Sequence, residues 1–238
     1  MSVDLEKYKH KLTAVILAAG SGTRMRSDVA KQSIEICGES VLRRSVSAFN
    51  RAREVDDIIV VCRACDIDAV RADLGQDFVK LSLLIVGGST RFESARIGFF
   101  AAEGCSEFVA IHDAARCLIT PEQIDAVARA AFDTGAATAA TAVTDTLKRV
   151  GADREITETV PRSDLYGAQT PQIFKSELYE RALGCYSGDG SEITDDNMLL
   201  ERIGVPVSVV DTGRENIKIT TPEDLAYAEF IIMKRGAV

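Results

Sequence analysis

The feature that most constrains this 238-residue chain is a series of short runs that are apolar at nearly every position: 13–18 (TAVILA), 57–62 (DIIVVC), 81–86 (LSLLIV), 108–112 (FVAIH) and 136–143 (AATAATAV). A strand with one wet face alternates apolar and polar side chains, so a continuous apolar run must be covered on both sides. Between these runs, segments 40–53, 67–74, 90–102 and 121–132 carry helical spacing, as in Val41, Leu42, Ser45, Val46 and Phe49. Strand and helix patterns in alternation predict an α/β fold, a mainly parallel sheet with helices on both faces. Apolar residues make up 46% of the chain, enough for one large core, and no repeat or low-complexity linker divides it. A single domain over 1–238 is expected.

The pattern changes between 145 and about 172. Residues 146–150 and 156–160 alternate apolar and polar positions around Gly151-Ala152-Asp153, which reads as a hairpin or projecting β-arm. Helical spacing then returns near 175–183 and 195–203, followed by a strand at 205–210 and a last helix at 222–234.

Charge narrows the partners. The net charge of -8 argues against a broad surface for nucleic acid or lipid headgroups, which needs clustered positive charge. A small phosphorylated ligand needs only one local group of Lys and Arg. No run approaches the roughly 18 apolar residues of a membrane helix. Residues 1–11 are charged and lack the apolar centre of a signal peptide, so a cytoplasmic location without membrane attachment is expected. The six cysteines are scattered rather than arranged as a disulfide framework. Cys62 and Cys65 form a C-x-x-C pair, but zinc would need two further ligands, and His10 and His112 lack ligand spacing.

In parallel sheets, ligands bind beyond the carboxyl ends of the strands. That rule selects the loops after 13–18, 81–86 and 108–112. The first is Ala18-Ala19-Gly20-Ser21-Gly22-Thr23-Arg24-Met25, with Lys31 beyond it. It lacks the Lys-Ser/Thr pair of a P-loop and the third glycine of a dinucleotide fingerprint. Its glycines still let backbone N–H groups approach phosphate, and Arg24 and Lys31 add positive charge suited to a triphosphate. The second loop, Gly87-Gly88-Ser89-Thr90-Arg91 with Ser94, permits close approach to a base or ribose; Ser89 or Thr90 equally suits a helix cap. The third, His112-Asp113-Ala114-Ala115-Arg116, sets a carboxylate at a strand end where metal, hydroxyls and phosphate could meet. Its plainer reading is an Asp113–Arg116 ion pair beside a buried histidine. In the segment 216–224, helix capping by Thr220 or Thr221 accounts for everything after Lys218 and leaves Lys218 unexplained.

The motifs LAAGSGTRM, KQ at 31–32, GGSTRFES, HDAAR, DTLKR, AQTPQIF, ITDD at 193–196 and NIKITTPEDL follow one another across residues 14 to about 232. In that order the chain resembles the 2-C-methyl-D-erythritol 4-phosphate cytidylyltransferase family. The resemblance implies a Rossmann-like nucleotidyltransferase fold, a homodimer whose β-arm reaches into its partner, and Mg²⁺ or another divalent cation as cofactor. It implies transfer of CMP from CTP to methylerythritol phosphate with release of pyrophosphate, a step of isoprenoid precursor synthesis. It places Ala18, Ala19, Gly20, Gly22 and Arg24 around the CTP phosphates and base. Lys31 and Lys218 would join Arg24 as the catalytic cations, at the α-phosphate. Gly88, Ser89 and Ser94 would meet cytosine and ribose. Asp113 would sit beside the metal and the substrate hydroxyls, with Arg116 supporting its loop. Thr146, Arg162 and Thr170 would come from the partner's arm and hold the polyol phosphate.

The chain departs from that family at Ala30 and Cys117, where proline is usual, and at Ser89, where an acidic residue is common. Ribitol 5-phosphate cytidylyltransferases are the nearest alternative, but they more often carry A-G-G at 18–20 and lack the lysine found here as Lys148. A non-catalytic CTP-binding paralogue would draw on the three departures; Arg24, Lys31 and Lys218 stand against it.

Overall fold

The computed structural model describes residues 10–20, 34–102, 104 and 106–236. Strand β1 (Leu12–Ala18) is buried at every position, as its continuous apolar pattern requires. It lies at the heart of a seven-stranded sheet, parallel to β4 (Asp57–Cys62) on one side and β6 (Phe108–Asp113) on the other. Between β1 and β4 come the two-residue strands β2 (Glu35–Ile36) and β3 (Glu39–Ser40) and helix α1 (Val41–Arg51), whose first turn is capped by the Ser40 hydroxyl. Helix α2 (Ile67–Leu74) leads to β5 (Leu81–Val86), which pairs with β4 and forms the sheet edge. That position leaves Leu83 and Val86 exposed, although the apolar run alone predicts a covered strand.

Helix α3 (Arg91–Ala102) precedes β6, and α4 (Pro121–Thr134) follows it. A full capping box, Thr120 with Gln123, and Pro121 at the first turn start α4; Gly135, at φ 90°, ends it. β7 (Ala136–Ala142) comes next, and then the chain leaves the sheet as a separate hairpin, β8 (Leu147–Val150) with β9 (Ile156–Val160). Every residue of those two strands except Val160 is exposed. The chain returns as β10 (Tyr166–Lys175) and ends with α5 (Ser176–Cys185), α6 (Asn197–Arg202), β11 (Ser208–Asp211) and α7 (Pro222–Gly236).

β10 corrects the sequence reading. The alternation change places the arm at about 145–172, which takes in most of AQTPQIF. In fact β10 runs antiparallel between β6 and β7 in the main sheet, in the order β11-β7-β10-β6-β1-β4-β5. A proline argues against a central strand because it cannot donate to the ladder. The sheet accommodates Pro171 by an irregularity of register between Ala168 and Gln172. The projecting part is therefore the β8–β9 hairpin alone.

Alternate residues of the central strands face two cores. Leu12, Ala14 and Ile16 join Leu42, Val46 and Phe49 of α1 and Ile124, Val127 and Ala128 of α4. Val15 and Leu17 join Phe92 and Phe99 of α3, Tyr179 of α5, and Leu199 and Leu200 of α6. Helices thus cover both faces, as expected. The strand sequence runs outward from β1 through β4 to β5, then restarts on its other side with β6. Such a reversal opens a crevice at the carboxyl ends of the strands, here between Ala18 and Asp113.

Candidate active site

The β1–β6 register aligns Leu17 with Asp113, and Ala114 N–H donates to the Leu17 carbonyl at 3.0 Å. The first and third loops therefore leave the sheet side by side. The second loop joins them through Gly87, whose N–H donates to the Cys62 carbonyl at 2.8 Å. A Cβ at Gly87 would lie 2.7 Å from Ser94 Oγ and 3.1 Å from the Ala19 Cβ, so only glycine lets the loops pack this closely.

Thr90 caps α3. Its hydroxyl accepts Glu93 N–H at 3.0 Å, and the Glu93 carboxylate returns to Thr90 N–H, Ser89 N–H and the Ser89 hydroxyl. Those bonds, led by the Ser89 hydroxyl, hold the Glu93 carboxyl below its ordinary range. Ser94 turns inward and donates to the Thr90 carbonyl at 2.9 Å. The Ser89–Ser94 segment is thus a rigid edge to the crevice.

Asp113 occupies the centre. Its Oδ1 accepts from Arg91 Nε at 2.9 Å and its Oδ2 from Lys218 Nζ at 2.6 Å. Burial alone would raise its carboxyl; the Arg91 and Lys218 charges together outweigh burial and hold it well below the usual carboxylate range. Arg91 reaches on to Asp196, with Nη1 to Oδ2 at 2.7 Å. Asp196 is fully buried and takes the Tyr179 hydroxyl on its other oxygen at 2.6 Å. The Asp113–Arg116 ion pair that the sequence offered as an alternative does not form. Arg116 instead donates to the Asn216 carbonyl at 2.9 Å and the Ala168 carbonyl at 3.2 Å, tying three segments together.

The structure explains how Lys218 is aimed. Asn216, wholly buried, donates to Gln169 Oε1 and the Thr170 carbonyl. Ile219 N–H donates to the Ala115 carbonyl at 2.8 Å. The segment is pinned on either side of Lys218, and α7 behind it is capped by the Asp224 carboxylate on Thr220 and Thr221 N–H rather than by a threonine hydroxyl.

Thr170, expected from a partner's arm, belongs to β10 and to this chain's own site. It is 4% exposed, and its hydroxyl accepts Asp113 N–H at 3.0 Å. The same oxygen lies 3.0 Å from His112 Nδ1, within hydrogen-bond reach. Burial pushes the His112 imidazole down to about 3, so it is neutral and no general base at pH 7. Thr146 and Arg162 are exposed and flank the hairpin, with Arg162 donating to the Thr144 carbonyl. Gly22, Arg24, Lys31 and the departure at Ala30 lie outside the described residues. Cys117, the second departure, is buried beneath the loop, and burial pushes its thiol up to about 11.

A family profile described as 2-C-methyl-D-erythritol 4-phosphate cytidylyltransferase matches residues 12–234. The chain belongs to that family. Enzymes of that name from Symbiobacterium thermophilum and Parasynechococcus marenigrum are 39% and 42% identical to it. The first alignment covers 98% of this chain and 97% of the relative, the second 93% and 97%. Among solved structures, a 4-diphosphocytidyl-2C-methyl-D-erythritol synthase from Anaerococcus prevotii superposes with a TM-score of 0.84 at 32% identity, covering 94% of this chain and 97% of that one. A cytidylyltransferase of this family from Francisella tularensis gives 0.77 at 28% identity, covering 92% and 99%. The seven-stranded sheet is thus the cytidylyltransferase fold. Within it, Arg91, Asp196, Tyr179, Gln172 and Asn216 join the site from positions to which sequence reasoning gave no role. Arg91, Gln172, Asp196 and Asn216 stand inside motifs that carried the resemblance; Tyr179 had no sequence signal.

Proposed function

We propose that the chain transfers CMP from CTP to 2-C-methyl-D-erythritol 4-phosphate and releases pyrophosphate. The observation that carries this reading is the Asp113 carboxylate at the crevice, engaged by Arg91 and by the partly exposed Lys218. An oxygen of the acceptor's phosphate attacks the α-phosphorus in line, and the bond to the β-phosphate oxygen breaks. A phosphate monoester has a second pKa of about 6 and is largely ionised at pH 7, so no general base is needed. This agrees with the neutral, buried His112. The difficulty is the approach of two polyanions, and the chain answers it with cations. Lys218 exchanges Asp113 for an α-phosphate oxygen, joined by Arg24 and Lys31. Gly20 and Gly22 bring backbone N–H groups to the phosphates beside Ala18 and Ala19. Gly88, Ser89 and Ser94 border the base and ribose. Arg116 holds the Asp113 loop in place.

Mg²⁺ suits the donors present. It is commonly held by one or two carboxylates together with substrate phosphate oxygens and water. Among the described residues no group of three or more acidic, histidine or cysteine side chains converges, so Asp113 would hold it with the triphosphate. Bound there, it would neutralise phosphate charge and polarise the α-phosphoryl oxygen.

The acceptor side is completed by a second copy of the chain in a cytoplasmic homodimer. The β8–β9 hairpin exposes Leu147, Val150 and Ile156, an apolar surface that a partner would cover. Thr146 and Arg162 would then serve the partner's acceptor phosphate. The test is pyrophosphate release from CTP and Mg²⁺ with methylerythritol 4-phosphate, beside ribitol 5-phosphate as the control acceptor. Turnover with the first is expected. Turnover with ribitol 5-phosphate alone, or with neither, would overturn the proposal.

A further inference from the structure

We propose that Asp196 is a positioning residue of this reaction: it fixes Arg91 against Asp113, giving that carboxylate a permanent cation and leaving Lys218 free to move to the phosphate. The inference rests on the cytidylyl transfer proposed above and deepens it.

The two cations on Asp113 differ in how they are held. Lys218 offers a single ammonium on a flexible stem, its side chain is 38% exposed, and its acidic partner among the described residues is Asp113. Arg91 is a planar fork with one prong on Asp113 and another on Asp196. Asp196 is held from several directions. Its side chain is 0% exposed, the Tyr179 hydroxyl donates to Oδ1, and its own N–H donates to Gln172 Oε1 at 2.8 Å. Tyr179 is itself stacked on Phe174, with ring centroids 5.2 Å apart. Gln172 spans to Asp195 Oδ2 at 3.0 Å. Arg91 therefore hangs from a dry, fully bonded wall, while Lys218 faces the crevice.

An arriving triphosphate pulls on every cation near it. If Arg91 followed Lys218, the buried Asp196 would stand as an uncompensated carboxylate, and breaking such a pair is costly. Anchored by Asp196, Arg91 stays. Asp113 then remains in place when Lys218 departs, and the cation that moves is the one that can reach the α-phosphate. A lysine at 91 could not bridge two carboxylates as the arginine fork does.

The experiment measures kcat, KM for CTP and far-UV circular dichroism in the full-length wild type, Asp196→Asn, Arg91→Lys and the double variant. Turnover by the wild type establishes the underlying reaction first. Asp196→Asn keeps size and an amide oxygen for Tyr179 but removes the charge. Its kcat is expected to fall about tenfold or more through misplacement of Arg91, with KM for CTP changing less than about threefold. The double variant is expected within about twofold of Arg91→Lys alone, because Asp196 acts only through Arg91. Wild-type kcat in a folded Asp196→Asn protein, or losses that multiply in the double variant, would overturn the proposal. Should Asp196→Asn fail to fold, Tyr179→Phe removes only the hydroxyl that steadies Asp196. A lowered kcat at unchanged KM then supports the proposal, and wild-type kcat overturns it.

Discussion

Asp113 and Lys218 are 105 residues apart in the chain and 2.6 Å apart in the fold. The ion pair joins the end of a central strand to the segment before the last helix. Its exposure differs at the two ends, 11% for the Asp113 side chain and 38% for Lys218. The carboxylate is the buried member and the ammonium the one that reaches water; in the proposed reaction it is the ammonium that changes partners.

Replacing Lys218 with alanine removes the exchangeable cation and leaves Arg91 on Asp113. Loss of one group that stabilises transition-state charge costs about 10²-fold or more in rate. Steady-state pyrophosphate release with Lys218→Ala should show that loss in kcat, with the protein folded as judged by circular dichroism. A kcat within a few-fold of wild type would remove Lys218 from the chemistry.

The shared-site arrangement has its own test. Lys31→Ala and Arg162→Ala proteins should each be nearly inactive alone. Mixing them under conditions that exchange subunits should restore activity, since one hybrid site then has both residues intact. No recovery, with exchange verified by mass spectrometry of the mixed dimers, would mean that Arg162 serves the site of its own chain and not its partner's.

Thr170 is expected to act on stability as well as rate. Thr170→Val keeps the shape of the side chain but leaves the buried Asp113 N–H without an acceptor, at a cost of about 1–3 kcal/mol. Thr170→Ser should recover most of it. Urea unfolding of the three proteins measures this, and equal midpoints would show that the hydroxyl is dispensable.

Acid should weaken the fold before the carboxylates titrate. The His112 imidazole ordinarily has a pKa of about 6.5, and burial lowers it to about 3 in the folded chain. The unfolded state therefore binds the proton first. The stability from burying a neutral ring is complete above about pH 6.5 and is lost progressively towards pH 3. Asp113, also held below its ordinary value, adds a loss of the same sign below about pH 4. Thermal midpoints should decline from near pH 6.5 downward. A midpoint flat to pH 5 would mean that His112 takes up its proton in the fold.

The parallel part of the sheet was legible because β1, β4 and β6 are apolar at nearly every position, as strands covered on both faces are. The capping box at Thr120 was legible in part for a similarly local reason: Thr120 and Pro121 mark the helix start in sequence. β10 was not, since Pro171 and the polar Gln169, Thr170 and Gln172 read as a loop until β6 and β7 are seen to pair with them. At the site, Asp113 and Lys218 could be singled out from strand-end position and an unexplained charge. Arg91 was visible but unassigned, because its meaning lies in Asp196, 105 positions away. Tyr179 looks like any core aromatic in an amphipathic helix, and only the bond from its hydroxyl sets it apart.

The place of β10 in the sheet also bears on how the molecule is born. β6 and β7 are separated by the width of a strand that emerges after both of them. At about 5–20 residues per second, a ribosome needs about 5–20 s to travel from Asp113 to Lys218. Throughout that interval the nascent chain holds a carboxylate whose hydroxyl, arginine anchor and lysine partner are incomplete. Two strand edges lie open with it, awaiting a pairing of high contact order. A chain cut short before Lys218 therefore leaves the ribosome without the ammonium that pairs with Asp113.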